Sequence, residues 1–105
     1  MTTPYTPESL TRTDTDASRG LTVLDFGTNW CGHCQAAQPL VDRVLGARAD
    51  VTHVKVEDGS GRPLGRSYRV KLWPTLVFLK DGVEVARVVR PVTTQTVSEA
   101  LTAAG

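Results

Sequence analysis

Cysteine is scarce in this chain: 105 residues contain two, Cys31 and Cys34. So few exclude a disulfide-rich secreted scaffold. A bridge between them would close a very short loop and remove little unfolded-state entropy, which makes a structural staple a poor reading. Charge of one sign is also lacking. Twelve Lys+Arg against 11 Asp+Glu leave a net charge of +1, without the basic stripe of a nucleic-acid binder, so no nucleic-acid partner is expected. Long apolar runs are absent: the longest, Leu76 to Leu79, has four residues, far below a membrane span. The opening MTTPYTPESL has neither the basic nor the apolar region of a signal peptide, so a cytoplasmic location is expected.

What is present is ordinary for a globular protein, 40% hydrophobic and 22% charged, and the length predicts a single domain over 1–105. Residues 1–20 are polar. Thr6, Pro7 and Glu8 resemble a helix start, predicting a short helix from about Pro7 to Ala17. Leu21 to Phe26 has strand composition. Cys34 to Arg48 places Ala37, Leu40, Val41, Val44 and Leu45 at helical spacing, with Pro39 expected to kink it. Val51 to Val56 alternates loosely as a second strand. Asp58 to Arg69, broken by glycines and Pro63, is loop with at most a short helix. Thr75 to Leu79 is nearly all apolar, as a strand covered on both faces is. Asp81-Gly82 is a hairpin turn, Val83 to Val89 the returning strand, and Thr94 to Ala104 a closing helix. The order is β-α-β-(α)-β-β-α. The first two strands should be parallel and the last two antiparallel.

The chemistry-bearing stretch is WCGHC, residues 30 to 34. Four readings compete. Cys31, His33, Cys34 and His53 supply enough ligands for tetrahedral zinc. But His33 is poorly placed to share a metal with its neighbours, and no second CxxC follows. Covalent haem requires histidine after the second cysteine, where this chain has Gln35. A redox-active dithiol and a redox-inactive binding module remain.

Several further residues join this motif in one pattern. Asp25-Phe26 precedes Trp30-Cys31 by five residues, Pro39 follows Cys34 by five, and Lys55 lies on the second strand. Trp73-Pro74-Thr75 precedes the third strand, and Lys80-Asp81-Gly82 turns the hairpin. The ensemble resembles the thioredoxin family over roughly Leu21 to Ala104. The resemblance implies a thioredoxin-like α/β fold, a three-layer sandwich with a central mixed sheet flanked by helices. It also implies protein-disulfide reduction or exchange through Cys31 and Cys34, with a cis bond before Pro74 and no cofactor beyond the dithiol. The implied partners are proteins bearing disulfides and a thioredoxin reductase or other dithiol donor, and a monomer is expected. The chain departs from the family in four places. The family's first strand is hard to find in residues 1–20. Trp73 stands where a small or β-branched residue is usual, and Arg90 where glycine is. Gly32-His33 is the dipeptide of protein disulfide isomerases rather than the Gly-Pro of thioredoxin.

Disulfide exchange needs a thiolate, and the N-terminus of a helix favours an anion. Cys31 is therefore expected as the exposed nucleophile and Cys34, one turn in, as the resolving thiol. His33 favours the thiolate further, and Gly32 lets a partner's backbone come close. Asp25 shares strand parity with Leu21 and Val23 and points into an apolar layer, where a charged carboxylate is costly. The residues alone leave it open whether Asp25 accepts the Cys34 proton or only caps backbone amides. The resemblance favours the proton acceptor, with Lys55 balancing its charge. Trp30 is expected to form a flat contact surface, Trp73, Pro74 and Thr75 to present substrate backbone, and Arg90 to add positive charge near Cys31. His53 is read as a structural or surface residue. Phe26, Tyr68 and Phe78 are read as core, and Arg62, Arg66, Arg69 and Lys71 as a solvated loop face.

Overall fold

All seven residues of β1, Leu21–Gly27, are buried, because this strand lies inside a four-stranded sheet of order β2-β1-β3-β4. β2 is Val51–Glu57, β3 Thr75–Lys80 and β4 Val83–Val89. β1 pairs in parallel with β2 and antiparallel with β3, and β3 pairs antiparallel with β4, as the element order implies. The computed structural model describes residues 4–7 and 10–105.

Strand alternation sends the side chains of β1 to two cores. Leu21 and Val23 pack against Ala37, Val41 and Leu45 of helix α2 (Gly32–Gly46) and Val97 and Leu101 of α4 (Thr94–Ala104). Leu24 and Phe26 pack on the other face with Leu64 of α3 (Pro63–Ser67) and with Tyr68. Burying a side chain the size of Phe26 contributes up to about 3 kcal/mol, so the two layers enclose the sheet from both sides. The result is the expected three-layer sandwich. Asp25 has the parity of Leu21 and Val23, so it faces α2.

α2 begins at Gly32 with Cys31 as its N-cap, two residues earlier than the apolar spacing suggests. Gly and His carry no periodic signal, whereas the cap is set by the Cys31 sulfur accepting the Cys34 amide. Pro39 lies inside α2, leaving the Gln35 carbonyl without its i+4 donor. The hairpin turns through Asp81 and Gly82, both at positive φ. A Cβ on Gly82 would collide with the Asp16 carbonyl, so glycine is required twice over.

The N-terminal region differs from its sequence reading. The first helix, α1, spans Arg12–Asp16 and is capped by Thr11 through a capping box with Asp14. Thr6 forms a parallel bridge to Val56, and its carbonyl accepts the Glu57 amide at 2.8 Å. Glu8, part of the expected start signal, lies outside the described residues. Among the described residues, one bridge beside β2 stands in the region where the family's first strand is expected.

Candidate active site

β1 ends at Gly27 and α2 starts at Gly32, and the dithiol sits at that junction. Cys34 donates its backbone N–H to Cys31 Sγ at 3.3 Å. This is an N-cap bond, which suits a thiolate because the helix dipole favours negative charge there. Both cysteines are free thiols. Cys31, expected to be exposed, is buried at 8%, which corrects that expectation, and Cys34 is fully buried at 0%. The Cys31 sulfur is engaged in capping α2, and Trp73 packs against it. Burial, and then the contact with Cys31, push the Cys34 thiol up to about 12. The Thr28 backbone and the Tyr5 hydroxyl pull the other way.

Two tryptophans border the pair. Trp30 is exposed and meets Trp73 edge-on, ring centroids 5.7 Å apart. Trp73 packs against the cluster of Tyr5, Cys31 and Cys34. Its indole N–H donates to Asp58 Oδ2 at 2.9 Å, and Gly65 makes room for that carboxylate. The Trp73–Pro74 bond is cis. Thr75 is buried and donates its hydroxyl to the Leu72 carbonyl at 2.6 Å. Gly32 and His33 are exposed, and a Cβ on Gly32 would meet nothing within 4 Å.

Arg90, expected to add positive charge near Cys31, donates its Nε to the Trp73 carbonyl at 2.8 Å and its backbone N–H to the Pro74 carbonyl at 2.9 Å, so the Trp73 carbonyl is not free for substrate. Arg90 adopts φ +50°. One expectation is corrected, that of Lys55 as the counter-charge of Asp25. The two are paired across β1 and β2, but the Lys55 ammonium is buried beside Asp42 at 3.5 Å and 5.8 Å from the Tyr5 ring centroid. Among the described residues its Nζ has no hydrogen-bond partner.

Asp25, 1% exposed, has other partners. The Tyr5 hydroxyl donates to its Oδ1 at 2.7 Å, and His53 Nε2 lies 2.9 Å from its Oδ2. Neither residue was assigned to the site from sequence. His53 shares strand parity with Lys55, which was a usable signal. Tyr5 offered none. Asn29 seats Tyr5 by two reciprocal bonds, accepting the Tyr5 amide at 2.8 Å and donating to its carbonyl at 3.0 Å. A Cβ on Gly27 would stand 2.6 Å from Cys34 Sγ and 3.0 Å from Tyr5 Oη, so Gly27 makes room for both. Burial, with the charge and hydrogen bond of Asp25, raises the Tyr5 hydroxyl far above its ordinary value.

Among the described residues, no group of three or more His, Cys, Asp or Glu is arranged to hold a metal ion, and no helix is long and apolar enough to cross a membrane. A dithiol capping a helix, a buried carboxylate behind it and a cis-proline beside it, on a layered mixed sheet, define the thiol–disulfide oxidoreductase class. The family model for thioredoxin matches residues 6–103, and the chain belongs to the thioredoxin family. The solved structure of reduced thioredoxin 2 from Pseudomonas aeruginosa PAO1 is 56% identical. It superposes with a TM-score of 0.85 over 96% of this chain and 94% of that one. A thioredoxin of Chlamydia pneumoniae is 36% identical over 72% of this chain and 74% of its own length. Thioredoxin H2-1 of Oryza sativa subsp. japonica is 36% identical over 66% of this chain, which spans only 50% of the rice protein.

Proposed function

We propose that the chain is a single cytoplasmic domain that acts as a monomer and reduces disulfides in proteins, with the Cys31/Cys34 dithiol as its only redox group. The observation that carries this reading is the asymmetric pair: a cysteine sulfur capping α2 and a fully buried partner whose thiol is pushed up to about 12. Cys31 as thiolate attacks a substrate disulfide, forms a mixed disulfide and releases one substrate thiolate. Cys34 then loses its proton and attacks Cys31. The Cys31–substrate bond breaks, and two electrons leave with the second substrate sulfur. Asp25 acts in the proton step, since a thiol raised this far is almost wholly protonated at neutral pH. Trp30, Gly32, Trp73 and Pro74 form the surface that meets substrate, the buried Thr75 supports it from beneath, Arg90 holds that loop, and His33 tunes the thiolate. Electrons return from a thioredoxin reductase or another dithiol donor.

Insulin reduction with dithiothreitol, and with a thioredoxin reductase as donor, tests the reading. Wild type should accelerate precipitation of the insulin B chain, Cys31→Ser should not, and Cys34→Ser should accumulate mixed disulfides because nothing resolves them. No acceleration by wild type under either donor would overturn it.

A further inference from the structure

A substrate protein docked on Cys31 covers the face carrying Trp30 and Trp73, and Cys34 is already out of contact with water. The proton that Cys34 must lose therefore needs another exit. The polar atoms around Cys34 continue inward. The Tyr5 hydroxyl stands beside its sulfur, the two converging on Gly27. From there the contacts run to Asp25 Oδ1 at 2.7 Å, and from Asp25 Oδ2 to His53 Nε2 at 2.9 Å. The chain of contacts surfaces at His53. Its side chain keeps 18% exposure and lines a groove of about 410 Å³ between α2 and β2, together with Asp42, Arg48 and Lys55. That groove lies outside the residues that border the dithiol.

We propose that Tyr5, Asp25 and His53 form a relay that carries the Cys34 proton under the sheet edge to water in this groove, with His53 as its outlet. The inference rests on the reading that Cys34 resolves a mixed disulfide. One proton is shared between Asp25 Oδ2 and His53 Nε2. As the Cys34 S–H bond breaks, its proton passes to Tyr5 Oη while the Tyr5 proton passes to Asp25 Oδ1. The shared proton settles on Nε2, and the imidazole sheds its Nδ1 proton to groove water. One proton enters at Tyr5 and one leaves at His53. The electrons stay with the sulfurs. Every charged group near the outlet is accounted for. Asp25 of β1 bonds the ring. Lys55 of β2 and Asp42 of α2 face each other at 3.5 Å. Arg48 after α2 is held by Asp50 at 2.7 Å. Tyr5 and Cys34 act through Asp25. Tyr5 touches the reacting thiol, whereas His53 works through Asp25 and is a positioning and exit residue.

The test is single-turnover reaction of the reduced full chain with insulin. Acid quenching and mass analysis follow formation and resolution of the Cys31 mixed disulfide at neutral pH. His53→Gln keeps a hydrogen bond to Asp25 but carries no proton. It should slow resolution at least about tenfold, leaving formation of the mixed disulfide unchanged. His53→Ala opens the groove onto Asp25, and added imidazole should restore its resolution rate several-fold while doing nothing to wild type. A wild-type resolution rate in His53→Gln would overturn the relay. A folded His53→Ala that imidazole does not rescue would do the same. If wild type forms no mixed disulfide with insulin, the oxidoreductase reading fails. If His53→Gln forms and resolves it as wild type does, only the relay fails.

Discussion

Gly27 and Gly32 flank the same dithiol and should respond oppositely to a single methyl group. At Gly27 an added Cβ stands 2.6 Å from Cys34 Sγ and 2.8 Å from Tyr5 Cζ, distances that real carbons do not sustain. β1 is central and fully buried, so it cannot move aside cheaply. If the site accommodates the methyl by distortion, overpacking costs about 1–3 kcal/mol. If Tyr5 is displaced instead, the loss includes its burial, about 1.5–3 kcal/mol, and a hydrogen bond to a carboxylate, also about 1.5–3 kcal/mol. A destabilisation of about 3 kcal/mol fits both routes and lowers Tm by roughly 12–24 °C for a domain of this size. At Gly32 the same Cβ meets nothing, and alanine is the better helix former by up to about 1 kcal/mol. Gly32→Ala should therefore melt at or above the wild-type temperature. Thermal unfolding of the reduced proteins by circular dichroism, with insulin reduction alongside, checks the pair. Gly27→Ala that unfolds within 3–4 °C of wild type (about 1 kcal/mol or less) and reduces insulin normally would refute the close packing of Gly27, Tyr5 and Cys34.

Limited iodoacetamide labelling of the reduced protein near neutral pH should modify Cys31 first, since Cys34 is buried and raised to about 12; peptide mapping that finds Cys34 first reverses their roles. The same shift predicts an alkaline loss of stability. Above about 9 the unfolded thiol gives up its proton while folded Cys34 keeps it, so the unfolded state binds fewer protons and stability falls as pH rises from about 9 to 12. Urea midpoints of the reduced form should therefore fall more steeply over that range than those of the oxidised form, which has no thiol. Asp58→Ala frees the Trp73 indole and should raise KM for protein substrates several-fold while leaving the rate with a small aromatic disulfide unchanged; equal effects on both would separate Trp73 from substrate contact. His33→Pro should make the dithiol more reducing by on the order of 30 mV in equilibration with glutathione buffers, and an unchanged potential would remove His33 from any tuning role.

How much of this was legible in the sequence depends on how far each feature reaches along the chain. β1 and β3 announce themselves because strands buried on both faces are mostly apolar, and the hairpin because Asp81-Gly82 is local turn chemistry. The dithiol and Asp25 follow from spacing within ten residues. Tyr5 is different: its contacts with Asp25 and Asn29 span 20 and 24 residues, and a lone tyrosine in a polar stretch has no periodicity to betray it. His53 lies on a strand whose burial is irregular, which made a surface reading natural although its parity with Lys55 pointed towards α2. Lys55 was misassigned because register places Cα atoms opposite each other and does not say where a long side chain ends. Arg90 carried one cue, a side chain where the backbone needs positive φ, and that cue shows strain without showing what the guanidinium holds.

The two reciprocal bonds between Tyr5 and Asn29, the Thr6 bridge to Val56 and the buried Tyr5 side chain attach residues 4–7 to the edge of the sheet. A segment at the sheet edge opens with a smaller free energy than the layers beneath it, as a cooperative unit of its own. The sheet and its two cores need not melt for Tyr5 to leave Asp25 and Cys34. The catalytic centre should therefore have its own midpoint on heating, below that of the fold. Hydrogen exchange should show it first at the Tyr5 and Glu57 amides, while those of β1 and β3 stay protected.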